Sequence, residues 1–307
     1  MPSSTPAGLF VGRSVLDVIQ LVDTPAPVNG KVRSTRHTVA AGGPATNAAV
    51  LFAALGGEGH LVSRIADDPL GDALKGDLLR HGQGRITHHN TLDADETDYM
   101  TVPASVQITA ATGDRSVIAG SPDPRANSGV LDRSFDHLLT EDVRVVLVDN
   151  DETDVSRALC ERARALGIPT VLDAGTEKDV VPAQLPGIDS AIVAEDFHDA
   201  TPDAIVDYLQ AAGVPYGAVT RGGQPLRWFT PQERGWTDPA PVAKVVDTLG
   251  AGDFFHGAYA FAIARTGLTP ESHVAALEWA CHASSLSIAH FGTRTWLAHL
   301  DELPPLG

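Results

Sequence analysis

Asp253 closes the run Asp247-Thr248-Leu249-Gly250-Ala251-Gly252, and an apolar stretch opening with Phe254-Phe255 follows at once. Gly250, Ala251 and Gly252 let the backbone turn tightly and approach a ligand closely. The segment 254–265 has helical composition, with Phe255, Ala258, Tyr259, Ala262 and Ile263 along one face and Thr266-Gly267 as its stop. A helix starting here turns unpaired N–H groups and the positive end of its dipole toward any anion lying before it. A carboxylate in that place repels the anion, unless its task is to take a proton from a nucleophile attacking there. Asp253 is therefore expected to act as general base, and Gly250, Ala251 and Gly252 as an anion cradle, in phosphoryl transfer to an alcohol. An ordinary first-turn acid after a glycine turn is the plainer reading of the same residues.

A second polar constellation lies near the N-terminus. In Gly42-Gly43-Pro44-Ala45-Thr46-Asn47, Pro44 suits the first helical position and Gly42 and Gly43 permit a sharp turn before it. Asn47 falls one turn in, where its amide can both donate to and accept from a hydroxylated ligand. Asp17 follows the first apolar strand, and ligands of α/β sheets sit beyond the carboxyl ends of the strands.

These segments resemble the two signatures of the ribokinase (PfkB) family of carbohydrate kinases. The stretch 247–253 matches D-T-x-G-A-G-D, and the stretch 42–49 matches G-G-x-x-x-N-x-A. The resemblance implies a ribokinase-like three-layer α/β/α fold with a mostly parallel central sheet and a small β-sheet lid. It implies Asp17, Gly42, Gly43 and Asn47 as sugar contacts, Asp253 as the base, and ATP with Mg²⁺ as co-substrate. Thr220, Gly222 and Gly223 resemble the family's T-x-G loop on the nucleotide side, although a plain strand-end turn reads the same way. By the same analogy Ser284 and Gly292 line the adenine and ribose pocket. Many relatives hold K⁺ at the aspartate matching Asp247, which could equally cap the following turn.

The family's N-x-x-E motif, which helps to place Mg²⁺ through water, is altered. The corresponding stretch reads Ala194-Glu195-Asp196-Phe197-His198, leaving Glu195 or Asp196 for the role. Leu249 within the Asp-Thr-Leu-Gly-Ala-Gly-Asp wording resembles the ketohexokinase branch, and Gly-Gly-Pro-Ala together with His256 resembles sulfofructose kinases. The leaning is toward a ketose-type sugar, with a nucleoside kinase or a catalytically silent sugar sensor on the same fold as alternatives. Lys31, Arg33, Arg36, Arg115 and Arg125 either converge on an anionic group of the sugar or form a solvated face.

The elements that must position these residues alternate. Strand-like segments at Leu9–Val11, Leu61–Ile65, Val145–Val148, Thr170–Asp173, Ala191–Val193 and Ala218–Thr220 are interleaved with helical ones. The helices fall at Pro44–Leu55, Leu70–His81, Asp154–Leu166, Pro202–Ala211, Gly252–Arg265 and Glu271–His290. Such alternation calls for a mostly parallel sheet covered on both faces. Two regions break it: Val15–Val22 with Val32–Val39, and Asp98–Thr109 with Arg115–Ala119. They are expected to form a small antiparallel sheet, the lid and dimer contact of the family resemblance, built from about 13–40 and 96–120 within a single domain. Edge strands of the main sheet are the alternative.

Composition narrows the partners. Among 307 residues, 39 are Asp or Glu against 22 Lys or Arg, a net charge of −17 that disfavours nucleic acid and anionic membranes. Cys160 and Cys281 form no disulfide framework or metal spacing, and the N-terminus lacks the pattern of a signal peptide. A cytoplasmic protein is expected. His81, His88, His89, His282 and His290 show no ligand spacing and read as surface or structural.

Overall fold

The computed structural model describes residues 5–93, 96–121, 134–175 and 181–306. Strand β1 (Ala7–Val11) is buried along its length, and its side chains alternate. Leu9 and Val11 enter one apolar cluster and Phe10 the other. Strands β4 (Glu58–Ser63) and β8 (Val143–Asp149) flank β1 in parallel. Beyond β8 the parallel run continues through β9 (Thr170–Ala174), β10 (Ser190–Ala194) and β11 (Tyr216–Arg221), and beyond β4 through β5 (Ile86–Asn90). An antiparallel extension, β12 (Gln224–Phe229) and β13 (Arg234–Thr237), completes a nine-stranded sheet in the order β13-β12-β11-β10-β9-β8-β1-β4-β5.

Helices α1 (Pro44–Ala54), α2 (Pro69–His81), α6 (Ala251–Thr266) and α7 (Pro270–Ile288) pack on one face of this sheet. On the other lie α3 (Thr153–Ala165), α4 (Val181–Gln184) and α5 (Pro202–Ala211). The architecture is the expected ribokinase-like three-layer one. Cys160 and Cys281 are free and buried in α3 and α7. No helix among the described residues is long and apolar enough to cross a membrane.

The second sheet has four strands in the order β3-β2-β6-β7, made of β2 (Val15–Val22), β3 (Arg36–Gly42), β6 (Pro103–Thr109) and β7 (Arg115–Ala119). It stands apart from the main sheet, so these segments are not its edge strands. It is not wholly antiparallel, because β2 pairs with β6 in parallel. The first strand of each hairpin lies in the middle of the sheet, and two such neighbours share a direction. Strand β3 also begins later than its apolar pattern suggested. Pro25, Pro27 and a turn with Asn29 at φ 59° occupy the connection, and pairing starts with Leu21 opposite Arg36. Ile19, Val106 and Ile108 of this sheet pack with Phe291, Val246 and Leu249, so the sheet leans on the segment leading into α6.

Candidate active site

Helix α6 begins at Ala251, with Gly250 before it at φ 73°. This left-handed conformation is open to glycine at little cost. The N–H groups of Ala251, Gly252 and Asp253 fall in the first turn, where a helix supplies no partner four residues back. A Cβ on Gly250 would stand 3.4 Å from the Thr293 methyl and 3.5 Å from Asn47 Nδ2, so three distant chain segments meet at this turn.

Asn47 reaches the same place from α1. Its Nδ2 donates to Asp253 Oδ2 at 2.7 Å. What delivers it is Gly43, which caps α1 with φ 100° and lies so close to the Arg13 carbonyl that a Cβ would approach that oxygen to 2.1 Å. Asp17, in β2, lies over Gly42, where a Cβ would meet the carboxylate at 2.1 Å. Burial pushes the Asp17 carboxyl up to about 7; Asp253, Asp77 and Asp247 push the same way and Arg294 opposes them. The structure thus gathers Asp17, Gly42, Gly43, Asn47, Gly250, Ala251, Gly252 and Asp253 at the carboxyl end of the main sheet.

Asp247 accepts the Leu249 N–H at 2.9 Å and the Gly292 N–H at 2.8 Å, tying the loop before α6 to the loop after α7. Desolvation raises its carboxyl above the ordinary range. Arg115 donates from β7 to the carbonyl and hydroxyl of Thr248, each at 3.2 Å. Gly113, in the β6–β7 turn, accepts the Thr248 N–H at 3.2 Å and its hydroxyl at 3.1 Å. Arg36 stacks over the Phe291 ring, while Lys31 and Arg33 are exposed. Arg125 lies outside the described residues. Arg36 and Arg115 thus engage the protein itself on either side of the α6 approach.

In the stretch expected to face the nucleotide, Thr220 donates to the Val193 carbonyl, and Gly222-Gly223 turns β11 into β12. Glu195, at the end of β10, faces Arg221 at 3.6 Å and is half exposed. Ser284 lies on α7, where its carbonyl takes the Ser287 hydroxyl; none of its contacts joins it to the Asp253 group. Among the described residues no three acidic, His or Cys side chains converge as a metal cage. A magnesium ion that keeps its waters and rides on phosphates needs no such cage, and Glu195 has the hard carboxylate oxygens to reach it through water.

Several residues adjoining the site belong to none of the sequence motifs. Asp149, at the end of β8, accepts the N–H groups of Arg13 at 2.9 Å and Asp151 at 2.8 Å, and burial holds its carboxyl well above the ordinary range. Asp173 ends β9 against His256, and burial raises it to about 6. Arg294 and Asp77 are buried behind Asn47. The two strand-end acids could have been found, since each closes an apolar strand where ligands bind. Arg294 and Asp77 stand in no recognisable pattern. Elsewhere His60 and His89 pair at 3.1 Å on the sheet edge, with desolvation bringing His89 down to about 4, a structural role.

A cleft of about 960 Å³, lined by Gly56, Val143, Pro169 and Leu268, opens at the amino ends of the strands and holds none of these residues.

A glycine-capped helix with a carboxylate in its first turn suits phosphoryl transfer, and comparison with known proteins gives the family. The pfkB family carbohydrate kinase model matches residues 9–299, and the chain belongs to that family. It is similar to the ribokinase of Bacillus subtilis (strain 168), 26% identical over 96% of this chain and 97% of the relative. Among solved structures, a candidate ribokinase from Agrobacterium tumefaciens superposes with a TM-score of 0.82 at 24% identity, over 97% of each chain. Arabidopsis thaliana ribokinase complexed with ribose and ATP gives 0.70 at 21% identity, over 97% of this chain and 98% of that one. The chain is accordingly a sugar or nucleoside kinase of the ribokinase type.

Proposed function

We propose that this enzyme transfers the γ-phosphoryl group of ATP to a hydroxyl of a ketose-type sugar or sugar derivative, with Asp253 taking the hydroxyl proton. One observation supports this most: Asp253 is held by Asn47 at 2.7 Å in the first turn of a helix whose N–H groups face the same space. The N–H groups of Gly250, Ala251, Gly252 and Asp253 would take the negative charge on the transferring phosphoryl. Asp17, Gly43 and Asn47 would orient the sugar. Magnesium brought with ATP would neutralise charge on the phosphates, and Glu195, which faces Arg221 beside Thr220, would hold it through water. Asp247 has lone pairs left beyond its two backbone partners, and K⁺ at this position would stiffen the loop it organises. Thr220, Gly222 and Gly223, with Gly292, would border the nucleotide.

In this reading the small sheet is a lid that excludes water from the reaction. Its outer row runs Val39, Val18, Ser105 and Ile118 across the strands, with Val39 49% and Ile118 73% exposed. A second copy of the chain covering this row makes the enzyme a homodimer, and its two buried free thiols suit the cytoplasm.

The test is coupled ADP release with Mg·ATP and K⁺ against ketoses, aldoses, phosphorylated and sulfonated ketoses, sugar acids and nucleosides. Turnover of a ketose is expected. Turnover confined to nucleosides would overturn the substrate class, and saturable sugar binding without ADP would overturn catalysis.

A further inference from the structure

Arg294 follows the Phe291-Gly292-Thr293 loop and is buried. Its guanidinium spends its donors in several directions. Nε donates to Asp77 Oδ2 at 3.0 Å, Nη2 to the Ala41 carbonyl at 2.6 Å, and Nη1 to Asn47 Oδ1 at 3.0 Å and the Thr293 carbonyl at 3.1 Å. Asp77 is itself held by the Ala41 N–H at 3.0 Å and faces His81 at 3.6 Å. One side chain thus ties together α1, α2, β3 and the loop after α7.

The contact with Asn47 has a chemical consequence. Arginine only donates, so the Asn47 amide must turn its oxygen toward Arg294. Its nitrogen then points the other way, at the Asp253 carboxylate, which only accepts. A flipped amide would set donor against donor on one side and acceptor against acceptor on the other. We propose that Arg294 is a positioning residue for phosphoryl transfer, locking the Asn47 amide so that it grips one Asp253 oxygen and leaves the other for the substrate hydroxyl. This rests on the reading of Asp253 as the base.

Electrostatics support the geometry. Arg294 is the cation acting on Asp17, against Asp253, Asp77 and Asp247, which all raise its carboxyl. Lysine would keep the charge but lose the fork that serves Asp77, Ala41 and Asn47 together.

The experiment begins with wild-type turnover on the sugar panel. Silence there counts against the kinase reading alone, and the relay is then judged by the Asn47 side-chain amide resonance. That signal should shift in Asp253→Asn and again in Arg294→Lys; an unmoved signal in either variant overturns the relay. With turnover in hand, Arg294→Lys should lower kcat on the order of 10²-fold, the effect of about an ångström of misplacement, with KM for ATP unchanged. In Arg294→Gly the acid limb of kcat/KM for the sugar should move to higher pH, because Asp17 loses the cation that offsets Asp253, Asp77 and Asp247, and added guanidinium should restore part of kcat. A folded Arg294→Lys enzyme with wild-type kcat overturns the proposal. So does guanidinium that restores the melting temperature of Arg294→Gly without restoring kcat.

Discussion

The Asp173 carboxylate lies 3.1 Å from Nδ1 of His256, beneath the first turn of α6. The same nitrogen is 2.7 Å from the Gly252 carbonyl, and Nε2 is 3.1 Å from the Ile192 carbonyl. His256 thus bridges the carbonyls of two elements while lying against the Asp173 carboxylate. His256→Leu would leave Asp173 buried without its partner, at a cost of about 3 kcal/mol at pH 8. Burial raises the Asp173 carboxyl to about 6 and His256 holds it down, so in the variant it should take up its proton at higher pH, and the loss should shrink as pH falls toward about 6. Urea denaturation at pH 8 and pH 5.5 checks both statements.

Asp253→Asn removes the base while keeping an oxygen for the Asn47 amide to bind. Turnover should fall on the order of 10²–10⁴-fold with fold and ATP binding retained. Steady-state kinetics beside thermal shift with ATP decides it; near-wild-type kcat would remove Asp253 from the role.

Gly257, one turn beyond Asp253, faces α1 so closely that a Cβ would come within 2.8 Å of the Ala48 carbonyl oxygen and 2.9 Å of its Cα. Backbone atoms cannot step aside as a side chain can. Gly257→Ala should therefore destabilise by about 1–3 kcal/mol despite the better helix propensity of alanine. Because Asn47 adjoins Ala48, kcat should drop as well. Calorimetry and kinetics on the one variant read both effects.

Stability should fall as pH rises from 6.5 to 8.5. Asp17 and Glu152 are raised to about 7, each chiefly by burial, and burial holds Asp149 well above the ordinary carboxylate range. A carboxyl raised in the folded state binds a proton that the unfolded chain has already released. Its stabilisation is full below the ordinary carboxylate range and is lost as pH climbs through the folded value. Below about 6.5 the buried His273, brought down to about 4 by desolvation, acts in the opposite sense. The carboxyl effect is therefore cleanest above that point. Asp17→Asn should flatten the slope, and melting temperatures across the range test it.

Much of this molecule was legible from its sequence because the relevant signals are local. The buried parallel strands are short apolar runs, and the Asp253 and Asn47 segments each announce a helix start through glycine or proline. What stayed hidden depends on tertiary pairing. Strand β5 reads Ile-Thr-His-His-Asn, half-buried at an edge, with no alternation to betray it. The parallel pairing of β2 with β6 follows from how two hairpins are laid side by side, which neither hairpin encodes. Arg294 acquires meaning only where Asn47, Asp77 and Ala41 meet, hundreds of positions away along the chain.

The carbonyl of Gly113 accepts both the N–H and the hydroxyl of Thr248, five residues ahead of Asp253. A fingertip of the small sheet thus rests on the threshold of helix α6. If the small sheet is the lid proposed above, swinging it outward to admit a sugar would release Thr248 and loosen the approach to Gly250. In that reading, opening for the sugar and completing the turn before Asp253 would exclude one another.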